Sequence, residues 1–313
     1  MIQRRRLTPP RLALATSAAL GAACGEPVAP VVPEPELPTR PDIATSVDAV
    51  SDAGELTDGR AENGCLLSPP RDLSGWWALD ETQTALVSNV PAIGTMVQTS
   101  KSLYLLEITA NPDRPAEPVM RARLCDWVTT DDIGLTTTAM NPSLFPVMAS
   151  MIRDITLSAP SDPATEPRLT TSEGLQLRGL HLDAPSTDAF PTALDDPRLR
   201  DEDDDGHPGI TLFLNGLFPG TLHVAHRHRA ALDGCFIEAD TLEGRTVWTT
   251  EQLILGSEPE SLMDMQPDAQ THPDPGLSHF TLRRASTASG PITDCASLKA
   301  ARDELFPPPP ATP

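Results

Sequence analysis

Short runs of apolar and β-branched residues recur along this chain, each soon cut off by Gly, Pro, Asn or Asp. They cover 76–79, 84–90, 95–99, 103–109, 119–128, 175–182, 210–214, 221–229, 235–239, 245–249 and 279–282. Several alternate. In 119–128, Met120, Ala122 and Leu124 fall on one face and Arg121 and Arg123 on the other, the period-2 pattern of a half-buried strand. Many short strands with frequent turn residues predict an all-β fold, mainly an antiparallel barrel or sandwich. Two short helices are expected, over 143–152 with Pro146 in its first turn, and over 296–305, where Leu298, Ala301, Arg302 and Leu305 are spaced helically.

Composition narrows the class. At 39% hydrophobic residues the chain can bury a core. Its formal charge of −21, from 23 Lys+Arg against 44 Asp+Glu, sets it against nucleic-acid phosphate. The start of the chain reads as an address. Arg4, Arg5, Arg6 and Arg11 precede an apolar and small-residue run over 12–23, which ends at Cys24. That is the form of a secretory signal, and the run is too short to cross a bilayer core of about 30 Å.

Gly21-Ala22-Ala23-Cys24 resembles the lipobox of bacterial outer-membrane and secreted lipoproteins, with Gly21 where an aliphatic residue is usual. The resemblance implies cleavage after residue 23, acylation of Cys24 and a membrane partner held through lipid. Gly25, in place of the Asp that marks inner-membrane retention, implies the outer membrane. Loss of 1–23 removes four Arg and no acid, so the charge would move from −21 to −25.

The expected organisation follows. Residues 24–62, with regularly placed prolines from Pro27 to Pro41 and then scattered acids, read as a disordered tether, and 306–313 as a disordered tail. The body is 63–305. It forms one closed sheet or two halves, 63–182 and 206–305, around an acidic loop at 183–209. Cys65, Cys125, Cys235 and Cys295 are an even set without metal-ligand spacing, which in an exported chain reads as disulfides. Four cysteines allow three connectivities. Cys65 and Cys125 are as far apart as Cys235 and Cys295, and Asn63-Gly64-Cys65 is echoed by Asp233-Gly234-Cys235. Leu73, Gly75, Gln83 and Leu86 recur as Leu242, Gly244, Gln252 and Leu255, one residue out of step. A duplicated half would explain this, and it favours pairing 65 with 125 and 235 with 295.

Three constellations could carry function. Asp201, Asp203 and Asp205 stand at alternate positions before Gly206-His207, which resembles the front half of an EF-hand-type calcium loop and the Asp-rich loops of dockerin-like and thrombospondin-like repeats. The implied cofactor is calcium, with Asp201, Asp203, Asp205 and His207 as the site. Leu212 stands where the bidentate Glu would be, so the expected affinity is of the weak extracellular kind, about 10⁻⁴–10⁻³ M. His226 and His228 share one strand face and His223 takes the other. They read as polar-face residues beside Arg227 and Arg229, turned to the acidic surface. Gly75-Trp76-Trp77 resembles the Gly-x-Trp opening of lipocalin and avidin-like barrels, in which the Trp closes the barrel base. That resemblance implies a ligand cavity near Trp76 and Trp77, with Trp127 and Trp248 as further core or cavity residues.

No Gly-x-Ser-x-Gly, His-Glu-x-x-His or phosphate-binding glycine loop is present, and no catalytic residue is assigned. The leading expectation is an envelope-anchored, non-catalytic structural or binding module with a weak calcium loop. A lipocalin-like carrier of a small hydrophobic ligand comes next, and an envelope hydrolase third.

Overall fold

The computed structural model describes residues 60–307, apart from 61–63, 69, 71, 91–92, 112, 114–116, 159–167 and 265–267. The signal, Cys24, nearly all of the tether and the tail after 307 lie outside the described residues.

The body is all-β and antiparallel. Its strands are β1 (Gly75–Val90), β2 (Gly94–Thr109), β3 (Val119–Asp131), β4 (Thr136–Met140), β5 (Met151–Ser158), β6 (Arg168–Thr171), β7 (Gly174–Arg178), β8 (Ile210–Gly216), β9 (Gly220–Glu238), β10 (Thr241–Glu258), β11 (Asp268–Thr271) and β12 (His279–Arg284). A small ribbon at Ser286–Thr287 and Gly290–Pro291 precedes two short helices, α1 (Cys295–Ala300) and α2 (Arg302–Leu305).

The sheet closes on itself. Strand β12 pairs with β1 and with β10, β10 pairs with β9, and β1–β2–β3 form a meander. The ring is completed from β3 to β9 at two levels. Near one end the link is β3–β4–β8–β9, and near the other it is β3–β5–β6–β9. The result is a barrel with no long free edge along this path. Strands from the first and second halves of the chain are interleaved in it.

Several expected strands are fused. The runs at 76–79 and 84–90 are one strand, as are 95–99 with 103–109, and 221–229 with 235–239. In β1 and β2 the apolar pattern breaks at Glu81, Gln83, Ser100 and Ser102, yet hydrogen bonding continues unbroken through Glu81↔Ser102 and Gln83↔Ser100. A β-bulge separates Leu103↔Asp126 from Tyr104↔Leu124. The extra residue, Cys125, reverses the alternation of β3. Met120, Ala122 and Leu124 face inward before it, while Trp127 and Thr129 line the interior after it.

The expected helix over 143–152 is not formed. Its start is a single 3-10 turn, Pro142–Leu144, and from Met151 the chain is strand. Met151, Arg153 and Ile155 alternate inward, so burial with period 2 overrides the local helical spacing. The C-terminal helix forms, broken at Ala301 into α1 and α2. Asp294 caps it by accepting a hydrogen bond from Ser297 N at 2.9 Å.

One end of the barrel is filled. Trp77, Leu79, Leu106, Ile108, Phe236 and Phe280 are almost wholly buried there. The Trp77 indole N–H donates to Leu73 O at 2.8 Å, and the Arg284 guanidinium lies over its ring, 4.2 Å from the centroid. Arg284 also donates to Ser74 O and Asp72 O, tying the lead-in across the floor. A second cluster lies outside the wall, where Leu298 and Leu305 pack on Ala78, Leu103 and Leu105.

The cysteine pairing differs from the expectation. Cys65 joins Cys235 and Cys125 joins Cys295, both with a sequence separation of 170. The matching cysteines of the two halves are thus bonded to each other. The reason is tertiary: Leu66 N donates to Phe236 O, laying the lead-in along the end of β9, while the bulge turns Cys125 outward to α1. Each bridge closes a loop worth roughly 5 kcal/mol in the chain-entropy limit, of which about 2–5 kcal/mol is usually realised. Non-reducing peptide mapping should recover 65–235 and 125–295. The paired substitution Cys125→Ser with Cys295→Ser should cost about 2–5 kcal/mol in denaturant unfolding and expose α1 to protease.

Candidate ligand cavity

The barrel interior changes character along its axis. Facing pairs on β1 and β2 run Trp77↔Leu106, Leu79↔Tyr104, Glu81↔Ser102, Gln83↔Ser100, Ala85↔Gln98 and Val87↔Met96. An apolar floor gives way to a polar belt and then to a more apolar mouth. On the opposite wall the pairs run Leu232↔Thr246, Ala230↔Trp248, His228↔Thr250, His226↔Gln252 and Val224↔Ile254, with Ala230 and Trp248 packed against Val87 and Met96.

Above the floor the interior is not filled. A cavity of about 220 Å³ is bordered on its polar side by Gln83, Ser102, Tyr104, Arg178, His226 and His228. Toward the mouth, Val87, Met96, Leu214, Phe218, Leu222 and Leu262 line it, with Trp127 and Trp248 on the walls. The turns at this end are β1–β2, β3–β4 and β8–β9. Asp131 organises the β3–β4 turn, accepting hydrogen bonds from Ile133 N, Leu135 N and Thr136 N.

The belt is built from long strands and one shorter neighbour. Strand β7 places Gln176 opposite His228 and Arg178 opposite His226. Arg178 donates to Gln176 Oε1 at 2.6 Å and approaches His226 Nδ1 at 3.3 Å. Gln83 Nε2 lies 3.3 Å from His228 Nε2, and the Thr250 hydroxyl bonds His226 Nε2. Arg153 reaches in from β5, its Nε donating to Ala230 O at 3.2 Å. Gly174 leaves the room it needs, since a Cβ there would lie 2.6 Å from Arg153 Nε and 2.4 Å from Met151 Sδ.

Burial sets the protonation of this belt. It holds His226 well below the ordinary imidazole range, with Arg178 and His228 adding to the effect. His228 is lowered to about 3, by burial first and then by Arg178 and Arg153. Both rings are neutral at physiological pH. Tyr104, the only tyrosine of the chain, is pushed up to about 12 by burial and the nearby Glu81, so its hydroxyl keeps its proton.

The structure relocates several expected site residues. Trp77 is in the filled floor, and neither it nor Trp76 lines the cavity. Trp76 packs outside, against the cluster under α1. The belt lies between Trp77 and the open space, which explains the difference. His226 and His228 face the interior rather than the acidic surface; the outward residues of that strand are Arg227 and Arg229. Arg227 pairs with Glu251 and donates to Pro185 O and Asp188 O, and Arg229 donates to Ser186 O, which straps part of the acidic segment onto the wall. Sequence reasoning missed Glu81, Gln83, Arg153, Gln176 and Arg178. Their signal was polar residues at inward parity, as in Gln176 and Arg178 alternating with Leu175 and Leu177.

The acidic loop stands apart, on the outside of the barrel. Carboxylate oxygens of Asp201, Asp203 and Asp205 lie within 4.8 Å of one another, the one group among the described residues with that geometry. Most of these oxygens accept hydrogen bonds from the loop itself, from Asp205 N, Gly206 N, His207 N, Thr211 N and the Thr211 hydroxyl. The His207 ring stacks on His223 at 4.0 Å instead of joining the carboxylates, and Leu212 is buried, lining the interior.

Comparison with protein-family models, curated proteins and solved structures finds no match. The class is therefore defined by the fold and the site: a closed antiparallel barrel with a polar-belted interior cavity.

The belt makes stability pH-dependent. A histidine whose folded pKa is depressed binds fewer protons folded than unfolded, so its stabilisation is lost as pH falls below the unfolded value of about 6.5. For His228 the loss continues to about 3. Glu202 and Asp203, raised by burial, work in the opposite sense at lower pH. Between pH 6.5 and 5 the unfolding free energy should fall by up to about 1.4 kcal/mol per pH unit for each ring. In denaturant titrations across that range, His228→Gln should remove one ring's share of the slope.

Proposed function

We propose that this chain is a non-catalytic carrier, exported and held to the outer membrane by lipid at Cys24, that takes a small and largely apolar molecule into its barrel. The observation that carries this reading is the cavity of about 220 Å³ between the polar belt and the apolar mouth. Ligand sites combine apolar walls with a few convergent polar groups, and this volume suits a guest smaller than the usual 300–1,000 Å³ class. The cavity moves the carrier ahead of a purely structural module. Imidazoles held neutral to low pH are weak bases, which favours hydrogen bonding to a guest over proton transfer. Two disulfides suit an oxidising envelope, in keeping with the basic leader and lipobox-like start.

Native mass spectrometry of the protein purified from its own envelope should give the mass from Cys24 onward plus acyl chains, with a discrete small molecule released on unfolding. In solution, the neutral fluorophore N-phenyl-1-naphthylamine should bind, and Ala85→Phe, which fills the cavity wall, should weaken it at least about tenfold, a cost of ~1.4 kcal/mol. An affinity unchanged by that substitution would place the dye elsewhere and sink the carrier.

A second reading concerns the acidic loop, where three converging carboxylates favour a weak calcium site. With Kd near 1 mM, 10 mM calcium would stabilise the fold by about 1.4 kcal/mol, measured as a higher Tm than in chelator. A Tm indifferent to calcium retires the cation.

A further inference from the structure

The belt contains two buried guanidiniums that lack a carboxylate hydrogen-bond partner among the described residues. Arg178 is 4% exposed and Arg153 1% exposed. A guanidinium has five N–H donors. Among the described residues, Arg178 spends them on neutral groups, Gln176 and His226, and its Nε has no hydrogen-bond partner. Both terminal nitrogens of Arg153 are likewise without a hydrogen-bond partner. Glu81, fully buried, shares the belt with them, and among the described residues neither of its oxygens has a hydrogen-bond partner. Glu202 also comes near Arg178, and its carboxylate accepts the Gly179 N–H. Arg178 and Arg153 therefore have Glu81 in the belt and Glu202 close to Arg178, yet among the described residues no carboxylate is hydrogen-bonded to either guanidinium, and the imidazoles between them are neutral.

A buried guanidinium with unused donors is costly unless something anionic or strongly polar meets it. Arg178 borders the cavity, so a guest can reach it, whereas Arg153 lies behind it. Above Arg178, Leu214, Leu222, Trp248 and Ile254 offer an apolar sleeve toward the mouth.

We infer that the guest is a small amphiphile with a carboxylate head, seated on Arg178 with its apolar part pointing to the mouth. The inference rests on the carrier reading. Gln83 and the Tyr104 hydroxyl border the same end and can complete the head-group hydrogen bonds. A neutral head would leave Arg178 without an anionic hydrogen-bond acceptor, and a cationic head would be repelled by it.

Isothermal titration calorimetry on the full chain with three eight-carbon probes tests this without any substitution. Octanoate should bind more tightly than octanol, and octanol more tightly than octylammonium. A charge-assisted hydrogen bond predicts at least about a tenfold step from octanol to octanoate. Arg178→Met should bring octanoate down to the octanol level, and Arg178→Lys should restore part of the preference. If octanoate and octanol bind equally, the anionic head is wrong while the carrier reading stands. Tighter binding of octylammonium overturns the inference by making Glu81 the anchor. If none of the three binds and N-phenyl-1-naphthylamine does not bind either, the carrier reading falls and this inference with it.

Discussion

Closure of the sheet is the constraint on which everything else here depends. Strand β12 lies between β1 and β10, and without it the first and last long strands would present unpaired edges. Closing the ring forces a choice at every position of β1, β2, β9 and β10, inside or outside. The two ways in which β3 is joined to β9 then let one barrel carry two interiors. The end bridged by β5 and β6 is packed with Trp77, Phe236, Phe280 and Ile155, and the end bridged by β4 and β8 stays open.

The polar belt lies at the transition between these interiors. Buried charges are tolerated only where geometry compensates them, and here the compensation is distributed. Gly174 yields space to Arg153, Gln176 bonds Arg178, and burial keeps the imidazoles neutral. A belt of this kind adds little to stability compared with an apolar layer. On the proposed carrier reading it is the specific end of a site whose apolar end is Val87, Met96 and Leu214.

The site was written in the sequence as interruptions. Glu81, Gln83, Ser100 and Ser102 break the apolar runs of β1 and β2, and local patterning therefore divides each strand in two. Once the strands are paired, these four residues fall on the inward face in two adjacent rungs. The acidic stretch from 183 stood out by composition alone, yet the structure uses part of it as a strap on Arg227 and Arg229. Conspicuous charge and functional placement proved to be separate properties, because charge is visible along one chain and placement needs its neighbours across the sheet.

By itself the sequence determined an all-β antiparallel body, the C-terminal helical segment, the even set of disulfide cysteines and the convergence of Asp201, Asp203 and Asp205. Each depends on short-range periodicity, local turn chemistry or parity of number, which a single chain carries in its order. Only the tertiary structure decided that Cys65 meets Cys235 and Cys125 meets Cys295, that residues 151–158 are strand, and that His226 and His228 face inward. Those outcomes depend on register across the closed sheet and on the bulge at Cys125, where one extra residue exchanges inside for outside.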